Sequence, residues 1–204
     1  MPHYKLNYFD ARGYAEAARM VLHYAGQEFE DNRFTHEQWP EIKHRSQTGK
    51  APWLEVDGEH IYESAAITRY LGHTFGLAGK DAMENAQIDS IIDTYKDFLN
   101  DARPFLMIKT GHVKGNLDEL KPKYDEACER WYTYLQKRLD KVGSGFIASK
   151  LSWGDFSLAE GIKTAQNFDD QIEKKYPKIV EYKKRVHSQP KVKEYVEKRT
   201  DSIL

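Results

Sequence analysis

The chain has a single cysteine, Cys128, in 204 residues, which rules out an internal disulfide framework and any Cys-X-X-Cys centre. Net charge is nearly absent as well. With 31 basic against 32 acidic residues the formal charge is −1, so no long-range field draws the protein to nucleic acid or to an anionic membrane. No apolar run approaches membrane-spanning length. The opening Met1-Pro2-His3-Tyr4-Lys5 lacks the apolar core of a signal peptide, no Asn-X-Ser/Thr acceptor occurs, and the expected compartment is therefore cytoplasmic. Gly-rich phosphate loops and internal repeats are missing. The eight histidines, at 3, 23, 36, 44, 60, 73, 112 and 187, include no pair at zinc-ligand intervals, so no metal is expected. What remains is enough apolar residue in 23.8 kDa for one large packed domain or two small ones.

What is present begins with alternation. Tyr4, Leu6 and Tyr8 alternate with His3, Lys5 and Asn7, the period of a half-buried strand whose end points at Tyr8 and Phe9. Behind Asp10-Ala11-Arg12-Gly13, a helical pattern carries Ala15, Ala18, Val21, Leu22 and Ala25 on one face and stops at Gly26, suited to a left-handed C-cap. A second strand is expected over 28–34, then a polar loop through Trp39 and Lys43. The stretch from Gly49 to Leu71 reads as loop, strand, hairpin, strand, helix. Asp57-Gly58 supplies the positive φ values of a tight hairpin between Trp53–Val56 and His60–Tyr62. Ser64 stands where the helical pattern of Ala65, Ala66, Ile67, Tyr70 and Leu71 begins, so its hydroxyl is expected to cap the first turn. The N–H groups of that turn can also bind a carboxylate, and Glu63 beside them could hold an ammonium group. This β-α-β, linker, β-β-α order is thioredoxin-like, and Ala51-Pro52 fits the turn where that fold carries a cis-proline. No cysteine precedes Cys128, so such a domain must borrow its thiol.

From about residue 81 the texture changes to long 3.6-residue periods. Asp81 and Glu84 have capping-box spacing. They open a helix with Ile88, Ile91, Ile92, Tyr95, Leu99, Ala102 and Leu106 on one face, which Pro104 is expected to kink or end. Pro122 stands near the N-terminus of a second long helix carrying Tyr124, Cys128, Trp131, Leu135, Leu139 and Val142, with Gly143 beyond. Cys128 reads as a small buried hydrophobe, since nothing nearby in sequence lowers its pKa. Ser152 and Asp155 form an acidic capping box with Leu151 and Phe156 as its hydrophobic staple, a folding signal and not a catalytic pair. Two proline-started helices close the chain, from Pro177 and Pro190, with lysines on a solvated face. The expected division is an α/β domain over 1–77 (βαβ-ββα) and an all-α helical bundle over 81–204.

The pieces Tyr4-Lys5-Leu6-Asn7-Tyr8-Phe9 with Arg12-Gly13 behind, Trp39-Pro40-Glu41-Ile42-Lys43, Gly49-Lys50-Ala51-Pro52, Glu63-Ser64-Ala65-Ala66-Ile67 and the box from Ser152 to Asp155 together resemble the cytosolic glutathione transferases of the sigma class, nearest to the branch found in nematodes. The resemblance spans the chain. It implies a thioredoxin-like domain holding glutathione as co-substrate, a helical domain supplying most of the second substrate's pocket, a homodimer, and a role in detoxification. It further implies that Tyr8 is the catalytic residue and donates its hydroxyl to the glutathione sulfur. A free thiol has a pKa of about 8.5, and each unit of depression is about 1.4 kcal/mol of preferential thiolate binding. By the same resemblance Trp39, Lys43 and Lys50 surround the glycyl carboxylate, and Ala51, before Pro52, clamps the cysteinyl unit with its main chain. Glu63 and Ser64 then take the γ-glutamyl end, with Asp97 of the partner subunit reaching its amino group.

Three departures from the vertebrate sigma pattern stand out. Tyr14 replaces an arginine near the thiolate, which makes prostaglandin isomerisation doubtful. Glu63 replaces a glutamine. Lys96 sits among Asp93 and Asp97 where the vertebrate form binds a divalent cation, so metal activation is expected to be lost. Phe9, Gly13, Tyr14, Leu99 and Phe105 are the candidates for the electrophile pocket. The reading is an enzyme that adds glutathione thiolate to small hydrophobic electrophiles. The alternatives are a carrier of haem or other large apolar ligands in a dimer groove, a prostaglandin isomerase, or a structural protein of the crystallin kind.

Overall fold

The computed structural model describes residues 2–111, 113–200 and 202; His112, one of the eight histidines, lies outside them. Contacts divide the chain into two units. One comprises residues 1–78 with 186–204, the other 79–185. The grouping differs from the expected helical domain of 81–204 in placing residues from Val186 onward with the first unit, where Tyr195, Arg199 and Ser202 find polar partners.

In the first unit, strands β1 (Tyr4–Phe9), β2 (Glu30–Phe34), β3 (Trp53–Val56) and β4 (Glu59–Tyr62) form one sheet of order β2-β1-β3-β4. β1 runs parallel to β2 and antiparallel to β3, and β3 pairs antiparallel with β4. The hairpin turn has Asp57 at φ 50° and Gly58 at φ 91°, as the dipeptide required. Helix α1 (Glu16–Ala25) ends on left-handed Gly26. The linker between β2 and β3 holds a short helix, α2 (Trp39–Ile42), and a following 3₁₀ turn at Lys43–Arg45, neither of which its polar composition announced. Helix α3 (Ser64–Thr74) follows β4, and α9 (Pro190–Lys198) packs on α1 as α3 does. Leu6, Met20, Val21, Leu22, Leu54, Ile67 and Leu71 are fully buried and form the core.

The second unit is helical: α4 (Ala82–Lys109), α5 (Leu117–Val142), α6 (Trp153–Phe168), α7 (Gln171–Lys175) and most of α8 (Pro177–His187). α4 packs on α5 and α6. Pro104 does not end α4, which continues to Lys109. Both Pro104 and Asn100, whose carbonyl loses its helical donor, lie on the exposed side, where water can replace the bond. Pro122 lies inside α5, in its second turn. The Asn116 side chain accepts from the Asp118 N–H and opens the helix one turn earlier. On α4 the buried face turns one residue away from the expected stripe beyond Ile92. Phe98 and Phe105 are buried, while Leu99 and Leu106 are half-exposed, because the aromatic rings stack on Trp131 and Tyr124 of α5. Asp81 caps α4 through Glu84 N–H, but the Glu84 carboxylate accepts from Lys80 N–H and Ser149 rather than closing the reciprocal box. The box at Ser152 and Asp155 is complete, and the buried Asp155 also accepts from Ile147 N–H and the Tyr182 hydroxyl. No described helix is long and apolar enough to cross a membrane.

Candidate active site

Strand register gathers one cluster of candidates at a single end of the sheet. Asn7 pairs with Trp53, and Trp53 with Tyr62, so one step beyond these pairs lie Tyr8, Pro52 and Glu63. The Ala51-Pro52 bond is cis. Lys43 and Lys50 belong to one loop, closed by the buried Ser46, whose hydroxyl donates to the Lys50 carbonyl at 2.6 Å. Both ammonium groups lie on exposed residues. Trp39 is half-buried, stacked on Phe34 at 5.5 Å and tilted against Phe9 at 5.4 Å. Phe9 also stacks on His36 at 4.4 Å, so this pocket candidate sits in an aromatic cluster beside Trp39.

Glu63 is exposed and takes φ 67°, ψ 120°, a conformation that costs a non-glycine residue of order 1 kcal/mol or more and persists only where its surroundings impose it. That bend places Glu63 at the N-cap and Ser64 in the first turn of α3. Ser64 therefore does not cap with its hydroxyl as expected; no side-chain cap bond forms there. The chain turns from strand to helix one residue earlier than the composition suggests. The N–H groups of the first turn, up to Ile67, which bonds back to the Glu63 carbonyl at 2.9 Å, still point beyond the helix.

Tyr8 is 8% exposed. Its hydroxyl oxygen accepts the Tyr14 main-chain N–H at 3.1 Å, and the Arg19 guanidinium carbon is 6.0 Å from its ring centroid. Burial pushes the phenol's pKa up, against the lowering effect of the Tyr14 N–H and Arg19, so at neutral pH the group keeps its proton and can donate it. Gly13, at φ 41°, packs directly on the hydroxyl: a Cβ there would stand 2.5 Å from the Tyr8 oxygen. Glycine is needed at this position for both its dihedral and its missing side chain. Tyr14, 56% exposed, offers its ring to solvent next to this hydroxyl.

The remaining candidates lie in the other unit. Asp97 is exposed, Leu99 is half-buried, and Phe105, expected to line a pocket, is 4% exposed and stacked on Tyr124 at 4.3 Å. Lys96 pairs loosely with Asp93 at 3.5 Å. Among the described residues no group of three or more His, Cys, Asp or Glu side chains could hold a metal ion. Cys128 is buried, and burial pushes its thiol up to about 12, which makes it a poor nucleophile.

Sequence reasoning missed Glu16 and Arg19. Both are essentially unexposed, joined at 2.9 Å, and stand among the apolar positions of α1 directly behind Tyr8. Two charges in an otherwise alanine-rich helix face were the available signal.

Two family descriptions match the sequence, "Glutathione S-transferase, N-terminal domain" over residues 4–73 and "Glutathione S-transferase, C-terminal domain" over 96–199. Among curated proteins it is similar to probable glutathione S-transferase 9 of Caenorhabditis elegans, 40% identical, and to glutathione S-transferase 1 of Ascaris suum, 39% identical, each match covering 98% of both chains. Among solved structures it is similar to a Nu-class enzyme of Haemonchus contortus, 39% identical with a TM-score of 0.91 over all of both chains. A second, described as monomeric, comes from the hookworm Necator americanus and is 38% identical with a TM-score of 0.92 over 98% of each chain. The chain belongs to the glutathione S-transferase family, enzymes whose co-substrate is glutathione.

Proposed function

We propose that this transferase adds the thiolate of bound glutathione to small hydrophobic electrophiles, as in detoxification in the cytoplasm, and that Tyr8 holds the sulfur in its anionic form. The observation that carries the reading is the committed oxygen of Tyr8. Because that oxygen accepts from Tyr14 N–H, the hydroxyl's own proton is directed elsewhere, and its raised pKa keeps it available as a donor. A donor aimed at sulfur stabilises thiolate over thiol, which is the difference that accelerates addition.

The rest of the co-substrate fits the same end of the sheet. The exposed Lys43 and Lys50 suit a glycyl carboxylate beside Trp39. The main chain at Ala51 and Pro52 suits the cysteinyl unit. The first turn of α3 at Ser64 suits the γ-glutamyl carboxylate, and Glu63 suits its ammonium group, with Asp97 of the partner subunit assisting in a homodimer of the sigma type. Phe9, Gly13 and Tyr14 are proposed to meet the electrophile. Tyr14, which replaces a cation, weighs against prostaglandin isomerisation.

One assay separates this reading from a carrier of haem. Retention on immobilised glutathione together with turnover of a chloronitrobenzene supports the enzyme, whereas haem binding without turnover overturns the conjugation proposal.

A further inference from the structure

We infer that Tyr195, Arg199 and Ser202 are part of the machinery that positions Tyr8, acting through Arg12 on one path and through Glu16 and Arg19 on the other. The inference rests on the catalytic reading of Tyr8. It concerns residues that touch neither glutathione nor electrophile in that reading, and so are positioning residues.

The first path is geometric. The Arg12 main-chain N–H donates to the Ser202 hydroxyl at 3.0 Å, and its guanidinium donates to the Ser202 carbonyl from Nε at 3.1 Å and Nη2 at 2.8 Å. Arg12 is 2% exposed. Two residues on, Tyr14 delivers the N–H that fixes the Tyr8 oxygen, with Gly13 between them against that same oxygen. Ser202 therefore ties down the short loop that holds the hydroxyl.

The second path is electrostatic. The buried Glu16 carboxylate accepts from the Tyr195 hydroxyl at 2.8 Å and from Arg199 Nη1 at 2.7 Å on one oxygen, and from Arg19 Nη1 at 2.9 Å on the other. Arg19 is fully buried. Its Nε is divided between the two Asp31 oxygens at 3.1 Å, and Nη1 also reaches the Ala11 carbonyl at 2.7 Å. Its Nη2 has no hydrogen-bond partner among the described residues. The Tyr8 ring, 6.0 Å from its central carbon, is the π-face within reach of this cation. A buried donor left unmatched calls for an explanation, and an arginine kept beside a phenol for its charge supplies one.

The other charges near Tyr8 are largely matched. Arg33 on β2 pairs with Asp31 and Asp10, and Glu55 on β3 accepts from Asn7 and Trp53. His23, stacked on Tyr195 at 4.0 Å, is held neutral near pH 7 by burial. How much of the Arg19 charge is felt at Tyr8 then depends on how fully Glu16 is shared with Arg199 and Tyr195. Removing the Arg199 cation leaves Arg19 and the Tyr195 hydroxyl on Glu16 and makes the potential at Tyr8 more negative, which holds the phenol proton more tightly and makes the hydroxyl a weaker donor to a thiolate.

The test compares Arg199→Met, Arg199→Lys and a chain ended after Thr200, each also in a Tyr8→Phe background, by the pH profile of kcat/KM for chloronitrobenzene conjugation. Circular dichroism and Tm verify folding. Arg199→Met is expected to move the acidic limb upward by about half a pH unit with the glutathione KM within about twofold of wild type. Arg199→Lys should return most of that shift. The shortened chain, which loses Ser202, should lower kcat severalfold without raising KM. In the Tyr8→Phe background none of these differences should survive. A folded Arg199→Met protein with the wild-type profile, or a shift that persists without the Tyr8 hydroxyl, overturns the inference and leaves the catalytic reading intact. A Tyr8→Phe protein as active as wild type instead defeats the reading on which the inference rests. If Arg199→Met does not fold, Arg199→Lys and the shortened chain decide.

Discussion

Replacing Gly13 by alanine is a small change whose effect can be worked out from the site. A Cβ on this backbone would stand 2.5 Å from the Tyr8 oxygen and 2.9 Å from Cε1, against an ordinary contact of at least 3.4 Å, so the ring must retreat by about 0.9 Å, the difference of the first and last distances. The φ of 41° adds about 1 kcal/mol of backbone cost for any residue with a Cβ. The backbone term affects stability alone, and a Tm lower by several degrees is expected from it. The displacement affects chemistry. A hydroxyl moved that far loses its 3.1 Å bond from Tyr14 N–H and no longer points where the sulfur binds. Misplacing a catalytic group by about 1 Å can cost up to about 100-fold, so kcat/KM at neutral pH should fall about 10- to 100-fold, or about 1.4 to 2.7 kcal/mol of transition-state stabilisation. Because Gly13 is remote from the charged ends of glutathione in the proposed arrangement, KM should change little. Steady-state kinetics of Gly13→Ala, Tyr8→Phe and the double variant settle the matter: the two losses should overlap heavily, since both act through one hydroxyl. A folded Gly13→Ala enzyme within twofold of wild type, or two fully additive losses, would refute the reasoning.

Other expectations are direct. Asp97→Asn should raise the glutathione KM and leave the bound thiol's pKa unchanged, because the amino end lies far from sulfur; mixing wild type with a Tyr8→Phe/Asp97→Ala chain should give heterodimers of weakened glutathione affinity, and wild-type affinity there would mean the carboxylate acts within its own chain or not at all. Millimolar magnesium or calcium at constant ionic strength should alter neither KM nor kcat, given the Lys96 ammonium at 3.5 Å from Asp93; clear activation by either ion contradicts the argument from that charge. Cys128, with its thiol pushed up to about 12, should resist iodoacetamide at mildly alkaline pH in the native state, and rapid stoichiometric alkylation of the folded protein would contradict it.

Much of the framework was legible where a few adjacent residues decide the conformation. Asp57-Gly58 defined its hairpin, Gly26 the end of α1, and Ser152 with Asp155 the start of α6, because each signal is a local backbone requirement. Legibility failed where distant partners decide. The burial of Phe98 and Phe105 in place of Leu99 and Leu106 follows from rings on α5 that no helical period of α4 encodes. Pro104 does not end α4, because a proline on an exposed helix face loses a bond that water replaces, and Pro122 lies inside α5, which a cap at Asn116 opens. Glu63 carries an unfavourable dihedral that its residue type argues against. The return of Tyr195, Arg199 and Ser202 to α1 and the loop before it joins residues 179 to 190 positions apart, which periodicity cannot detect. At the candidate site the aromatic and lysine positions were readable as residues, but the contact of Gly13 with Tyr8 and the Tyr14 N–H on the phenol oxygen belong to the folded geometry alone.

Whether Tyr8 stabilises the thiolate of bound glutathione is measured directly by titrating that thiolate through its ultraviolet absorbance in the enzyme–glutathione complex. The thiol of the wild-type complex should ionise well below its free value of about 8.5, whereas in Tyr8→Phe its pKa should rise by about one unit or more with glutathione still bound. The mutant's conjugation rate should accordingly be lowest at about pH 6.5 relative to wild type and recover as pH increases. An unchanged thiol pKa in a folded, glutathione-saturated Tyr8→Phe protein would contradict the central claim.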